Sequence, residues 1–200
     1  MRRLIIIALL LCSCVAGALA QTTSSEWLAK LRSSLGSRYA WNITVQSGGE
    51  QFAGYYMVEG DGYYLTLGAM EVYSDGKLRY EVNNARQEVT EDRVNLKAVD
   101  LLTNPTRAFS FLDKEYSITP KSQSSSGVVL RLLPKGDDSE LSEISLELAK
   151  SGGAVIPRRI VYNYDGDTIS IELQQRSVAG VTLPCWSKES YQGYDIVSFL

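Results

Sequence analysis

The sequence predicts a mainly β domain, one curved antiparallel sheet of about ten strands with short helices covering an apolar cavity. Three observations carry this. Apolar and polar residues alternate with a period of two along most of the chain. Turn-forming clusters recur between those runs, at Ser47-Gly48-Gly49, Glu59-Gly60-Asp61-Gly62, Ser74-Asp75-Gly76, Asn83-Asn84, Pro134-Lys135-Gly136-Asp137, Ser151-Gly152-Gly153 and Asp165-Gly166-Asp167. The alternation also leaves one apolar face, as in Ile144, Leu146 and Leu148 against Ser145 and Glu147, so one side of the sheet needs a cover.

The elements follow in order. Residues 1–20 read as a secretory signal peptide, with Arg2 and Arg3 as the cationic start, Leu4 to Leu11 as the apolar stretch and Ala18-Leu19-Ala20 as the cleavage site. The stretch is shorter than the roughly 20 residues that span a bilayer. Leu11-Cys12-Ser13-Cys14 loosely resembles a lipobox that would make Cys14 a lipidated N-terminus, but Ala18-Leu19-Ala20 is the better site. Residues 21–200 then form a single domain.

Trp27, Leu28, Leu31 and Leu35 fall on one face of a helix, with Ser24 or Ser25 to cap it and Gly36 to end it. From Tyr39 the period becomes two, and Trp41, Ile43 and Val45 alternate with Asn42, Thr44 and Gln46. Further strands are predicted over Gln51–Val58, Tyr63–Leu67, Val128–Leu133, Ile144–Leu148, Ile156–Tyr164 and Ile169–Leu173. The middle segment Leu96–Leu112, broken by Pro105, is the second helical cover expected over the sheet, and Ser122–Ser126 reads as a flexible hairpin loop.

Composition limits the chemistry. The chain has 200 residues, 44% hydrophobic and 22% charged, with three Cys and no His, which removes Ser-His-Asp triads, Cys-His pairs and His-ligated zinc. Without residues 1–20 it carries 18 Lys plus Arg against 23 Asp plus Glu, net −5, an acidic balance that disfavours nucleic acid. Cys185 is then the single cysteine and reads as a small buried hydrophobe. The acid pairs Asp165/Asp167, Glu59/Asp61 and Asp137/Asp138 lie in turn sequences, where Asp bonds the local backbone, so they read as turns rather than metal or glycosidase sites. Asn42-Ile43-Thr44 is an incidental glycosylation sequon within a strand. Tyr55-Tyr56 and Tyr63-Tyr64 flank one hairpin turn and put one Tyr on each face, either as cross-strand packing or as an aromatic rim to the cavity.

The ordered set Gly54-Tyr55-Tyr56-Met57-Val58, Tyr63-Tyr64-Leu65, Val72-Tyr73-Ser74-Asp75-Gly76-Lys77-Leu78-Arg79-Tyr80 and Gln87-Glu88-Val89 resembles the LolA-like family of periplasmic lipoprotein carriers. The segment from Asn104-Pro105 to Phe109 and the ending Tyr191-Gln192-Gly193-Tyr194-Asp195-Ile196-Val197 are similar to its middle and C-terminal regions. The resemblance implies an unclosed antiparallel β-barrel of about 10–11 strands with helices as a lid. It implies a monomeric periplasmic carrier, without enzymatic activity, cofactor or metal, that takes acylated lipoproteins from an inner-membrane ABC transporter and delivers them to the outer membrane and its receptor. Burial of methylenes at about 0.8 kcal/mol each is sufficient for such binding. Family members carry an Arg just after the second strand, where it helps latch the lid, whereas this chain has Glu59-Gly60-Asp61-Gly62.

Alternation places Trp41, Ile43, Val45, Met57, Leu65, Leu67, Ile144, Leu146, Leu148, Ile160, Ile169 and Ile171 toward the cavity, and Phe109, Phe111 and Leu112 in the lid. A slip of one residue would invert any strand's assignment. The alternative is a module of the same fold that binds a lipid, a glycolipid or another ligand, or acts as a sensor, without shuttling.

Overall fold

The period-two runs form twelve strands in one sheet. The computed structural model describes residues 24–98, 100–107, 109–110, 112–136 and 141–200. The signal peptide, Cys12, Cys14, Phe111 and Asp137/Asp138 lie outside the described residues. Residues 24–35 form helix α1. A meander follows: β1 (Arg38–Ser47), β2 (Glu50–Glu59), β3 (Gly62–Leu67), β4 (Met70–Ser74), β5 (Leu78–Asn83) and β6 (Glu88–Arg93). After the middle segment and the four-residue helix α2 (Leu112–Glu115) comes a second meander: β7 (Tyr116–Gln123), β8 (Gly127–Pro134), β9 (Leu141–Ser151), β10 (Ala154–Tyr164) and β11 (Thr168–Arg176). A C-terminal stretch ends in β12 (Asp195–Ser198).

The strand order is β12-β6-β5-β4-β3-β2-β1-β11-β10-β9-β8-β7. The meanders run in opposite directions from a shared centre, where β1 pairs with β11. Neighbours are antiparallel except β12, which lies parallel to β6. The two ends of the sheet, β12 and β7, are not joined by hydrogen bonds, so the barrel is unclosed.

Local chemistry sets the turns and bends. Gly48 and Gly49 both have positive φ, 57° and 83°, as a tight β1–β2 hairpin requires. Gly54 answers a different need, because a Cβ there would lie 2.2 Å from the Thr66 carbonyl oxygen and 3.1 Å from Ile43. β2 and β3 approach so closely at that point that only hydrogen fits. In the β4–β5 turn, Asp75 Oδ1 accepts hydrogen bonds from the backbone N–H groups of Lys77 and Leu78, both at 2.8 Å.

Register decides which face each side chain takes. Trp41 opposes Tyr56, Tyr56 opposes Leu65, and Leu65 opposes Val72, so these share the inward face. In the other meander Leu130 opposes Leu146, Leu146 opposes Ile160 and Ile160 opposes Ile171. These inward residues form one core cluster with Trp27, Leu28 and Leu31 of α1 and with Leu101, Phe109 and Leu112 of the middle segment. Burying each large apolar side chain contributes about 1.5–3 kcal/mol relative to exposure. The cover expected as a helix over Leu96–Leu112 is instead a chain of turns through 100–107 and 109–110, with helix only from Leu112 among the described residues. Pro105 and the short side chains of Asp100 and Asn104 explain this. Asp100 Oδ1 accepts from the N–H groups of Leu102 and Thr103, closing a turn where a helix would continue.

On β5 and β6 the apolar positions change face. Arg79 and Glu81 point inward and pair with each other at 2.6 Å, whereas Val82 and Val89 point outward. The outward pair is covered by residues 177–194, which cross the back of the sheet. Arg38 donates to the Val181 carbonyl, Trp186 stacks on Tyr80 with centroids 4.1 Å apart, and Tyr191 and Tyr194 complete a second small cluster around Tyr73, Val82 and Val89. Cys185 is exposed on this strap, contrary to the buried place expected, because the inward position falls to its neighbour Trp186. Among the described residues no helix is long and apolar enough to cross a membrane.

Glu71 of β4 anchors the strap. Its carboxylate accepts hydrogen bonds from Tyr73 Oη (2.7 Å), Asn84 Nδ2 (2.7 Å), Tyr64 Oη (2.9 Å) and Tyr191 Oη (3.4 Å). Burial works against its charge, but these four donors outweigh it and hold the carboxyl below the usual glutamate range. Burial, with the Glu71 carboxylate adding to it, pushes the Tyr64 hydroxyl up to about 12, so it remains a donor.

Two predictions follow from the packing. Gly54→Ala lowers unfolding stability by about 1–3 kcal/mol in urea titration, through the collision with the Thr66 carbonyl. A depressed carboxyl pKa adds stability that is complete above the unfolded value and disappears as pH falls through the folded value. Glu71→Gln therefore costs about 1–3 kcal/mol at pH 7 and flattens the loss of stability below about pH 4.5. Unfolding midpoints measured from pH 7 to pH 3 test this.

Candidate functional site

The inward face of the sheet and its two covers form the candidate site. Of the residues assigned to it from alternation, Trp41, Ile43, Val45, Leu65, Ile144, Leu146, Leu148, Ile160 and Ile171 are buried members of the core cluster, and Leu67 and Ile169 pack against it partly buried. Met57 does not face it. Its cross-strand neighbours are Ala40 and Tyr64, on the outer face, and Tyr56 and Val58 take the inward positions. The reason is local: Tyr56, Met57 and Val58 are all buried, so β2 has no polar residue there to reveal its phase, and only the ladder with β1 fixes it. Of the lid residues, Phe109 and Leu112 are buried in the core cluster, and Phe111 lies outside the described residues.

The concavity is filled by its own covers. Leu28 and Leu31 from α1 and Leu101 from the middle segment are at most 1% exposed, as are Trp41, Tyr56, Leu130 and Ile171 beneath them. The cavity expected from strand number is thus occupied by side chains of α1 and the lid, packed as a protein interior. A cleft of about 260 Å³ opens at one end, where Leu35 of α1, Tyr39 of β1, Val58 of β2 and Phe109 of the lid meet, with Arg32 and Gly60 at its rim. It is one of the points at which the inward face comes within reach of solvent; Ile169 and Tyr164 line another, near the β1–β2 hairpin.

Polar contacts fasten the lid over the face. Tyr39 Oη donates to the Pro105 carbonyl at 3.3 Å, Tyr63 Oη donates to the Thr103 carbonyl at 3.3 Å, and Tyr162 Oη accepts from the Leu101 N–H at 3.0 Å. Three tyrosines on three strands thus hold residues 101–105 by their backbone. Burial raises the hydroxyl pKa of all three, so each stays protonated at physiological pH. The hydrogen bonds do not depend on pH near neutrality.

The far end of the lid is held by α1. Arg32 Nε donates to the Phe109 carbonyl at 3.3 Å, and its guanidinium forms a forked pair with Asp113, 2.6 Å and 3.3 Å. Partial burial raises the Asp113 carboxyl pKa, but the Arg32 hydrogen bond outweighs this and the net shift is downward. With both side chains substantially exposed, the pair contributes no more than about 1 kcal/mol. The sequence has no Arg directly after β2; the Arg that bonds the segment over the sheet comes from α1. A basic residue one turn from the end of a helix predicted to cover the sheet was the available signal. Ser34, on the same helix end, accepts from the Val155 N–H at 2.9 Å and ties α1 to β10.

No protein-family model matches this sequence, and no curated protein matches it. Solved structures do match its fold. An uncharacterized conserved protein from Thermus thermophilus is similar at a TM-score of 0.57 and 9% identity, over 88% of this chain and 99% of that one. A LolA superfamily protein from Nitrosomonas europaea matches at a TM-score of 0.44 and 9% identity, over 86% of this chain and 96% of the other. LprF from Mycobacterium bovis matches at 0.45 and 13%, over 82% and 96%. The unclosed sheet with its covers is thus a fold shared with the Thermus thermophilus structure.

The lid is expected to be the first part of the molecule to open. In Tyr39→Phe combined with Arg32→Ala, amide hydrogen exchange accelerates by about tenfold or more across 100–113, while β8–β11 keep their protection. Uniform acceleration across the sheet would show that lid and sheet open together.

Proposed function

We propose that this chain is a periplasmic carrier that holds the acyl chains of lipoproteins against the inward face of its sheet, beneath α1 and the lid. The single observation that carries the reading is the way the covers are attached. The interface between sheet and covers is a contiguous apolar cluster, and the polar contacts that fasten the covers over it include three tyrosine hydroxyls, Arg32, Ser34 and, at the end of the lid, Lys135 Nζ on the Asp113 carbonyl. Alkyl chains can replace the side chains of Leu31, Leu101 and Phe109 on that face with little change in solvation, because each methylene recovers about 0.8 kcal/mol on burial. A lid fastened by hydrogen bonds of about 1 kcal/mol each can be displaced by a few buried methylenes.

The residues that would meet the chains are Trp41, Ile43, Val45, Leu65, Leu67, Ile144, Leu146, Leu148, Ile160, Ile169 and Ile171, joined by Tyr56 and Val58. Cargo would come from the inner-membrane lipoprotein-releasing ABC transporter and pass to the outer membrane. The resemblance in the β2–β6 motifs supports this direction of transport, and Arg32 supplies a lid fastener in place of the Arg that β2 lacks. Binding requires no catalytic group: the site offers apolar surface and a cover that moves.

The test is native mass spectrometry of the protein purified from its own envelope, followed by denaturing mass measurement of what is bound. A co-purifying triacylated lipoprotein, lost in Ile171→Asp and retained in the outer-face control Glu172→Gln, is the expected result. A bound free lipid, with no lipoprotein, would replace the carrier reading with a ligand-binding module of the same fold. A chain beginning with lipidated Cys14 would do the same, since a tethered protein cannot shuttle.

A further inference from the structure

Two aromatic side chains on the inward face of β1 and β2 keep a polar atom without a partner once the lid is fastened. Tyr39 and Tyr63 donate their hydroxyls to the Pro105 and Thr103 carbonyls, and Tyr162 Oη accepts from the Leu101 N–H. Trp41 Nε1 and Tyr56 Oη have no hydrogen-bond partner among the described residues, although both atoms are shielded from solvent. Trp41 and Tyr56 are themselves 0% exposed and directly opposite each other in the β1–β2 ladder, both inward. Buried polar side-chain atoms without partners are uncommon in native proteins, and two on neighbouring residues of one face are less expected still.

We infer that Trp41 and Tyr56 form a subsite for the carbonyl oxygen of an acyl ester or amide, an inference that rests on the acyl-binding reading and adds its polar specificity. The indole N–H can only donate, and the phenol O–H, which is bonded to no described group, is also free to donate, so the complementary group is an acceptor with two lone pairs. A carbonyl oxygen is such a group. A carboxylate fits less well, because its charge would enter an apolar interior without an opposite charge beside it.

The location agrees with this assignment. The cleft between α1 and the lid is walled by Tyr39 and Val58, each two residues from the orphan pair along its strand and on the same face. Two residues of strand cover about 7 Å, so Trp41 and Tyr56 lie one step along their strands from the residues that wall the opening. A chain threaded from the cleft would set its carbonyl on Trp41 and Tyr56, run its methylenes past Ile43, Val45, Leu65 and Ile171, and leave its head outside near Arg32. The Tyr39 ring, packed edge-on against Tyr56 at 6.2 Å between centroids, holds the phenol in place. The lid hydrogen bonds and the ligand hydrogen bonds thus draw on different side chains.

The experiment uses the mature chain with two probes of matched length, methyl palmitate labelled with carbon-13 at the carbonyl and heptadecane. In the wild type, methyl palmitate binds about tenfold or more tightly than heptadecane, the margin of a hydrogen bond made in place of an orphaned donor. Its carbonyl infrared band lies below that of the ester in hydrocarbon solvent. Tyr56→Phe brings the two affinities together, moves the band upward and leaves the unfolding midpoint of the free protein unchanged or higher. Trp41→Phe moves the band the same way. An unshifted band, or an affinity ratio that survives both substitutions, overturns the subsite while leaving acyl binding intact. A lower midpoint for free Tyr56→Phe would show that the hydroxyl already has a partner, and also overturns it. Failure of the wild type to bind either probe overturns the subsite together with the acyl-binding reading.

Discussion

The structure depends on one constraint: a sheet that does not close on itself has an apolar face that must be covered. A closed barrel hides its interior with its own strands. Here β7 and β12 end the sheet without pairing with each other, and cover comes from α1 and from Leu101, Phe109 and Leu112 of the middle segment. Helix, lid and tyrosine contacts are all consequences of that open geometry. The same openness makes the interior a site, because a cover attached chiefly by apolar contact can be exchanged for another apolar body.

A second consequence is visible at the edge of the sheet. On β5 and β6 the apolar side chains move to the outer face, and the C-terminal strap follows them there, with Trp186 on Tyr80 and Tyr191 on Tyr73. The strap then turns into β12 and pairs with β6. Its polar anchor, Glu71, collects donors from β3, β4, the β5–β6 turn and the strap itself. Residues 101–105 of the inner cover are held by single neutral hydrogen bonds between tyrosine hydroxyls and the backbone, with one exposed ion pair, Arg32 with Asp113, at the far end, while the outer cover is held by a half-buried charged acceptor with four donors. Hydrogen bonds to a charged group are the stronger kind, so the inner cover is the part free to move.

The division of labour among the tyrosines follows from position on the pleat. Tyr56 and Tyr63 point inward while their neighbours Tyr55 and Tyr64 point outward, so each adjacent pair serves both faces. The inward ones bring a hydroxyl into an apolar interior, which is acceptable only where an acceptor waits. Tyr63 has one in the Thr103 carbonyl. Tyr56, with Trp41 beside it, does not, and that difference between otherwise similar residues marks the point in the core where an acceptor from outside belongs.

The sequence by itself determined the β architecture, the amphipathic N-terminal helix, the turn positions and most of the inward residues, because each is written in local periodicity or in Gly and Asp chemistry. Ile144, Leu146 and Leu148 alternate with polar neighbours, and their face could be read directly. Met57 could not be placed, since Tyr56, Met57 and Val58 carry no polar marker and the phase of β2 comes from its ladder with β1. Arg32 as a lid fastener, Glu71 as the anchor of the strap and the exposure of Cys185 were equally hidden. Each depends on partners 80 to 120 residues away in sequence or on which side of a strap faces the sheet. Periodicity reports the environment of a residue along its own strand, whereas hydrogen-bond partnership across the chain is decided only when the covers dock.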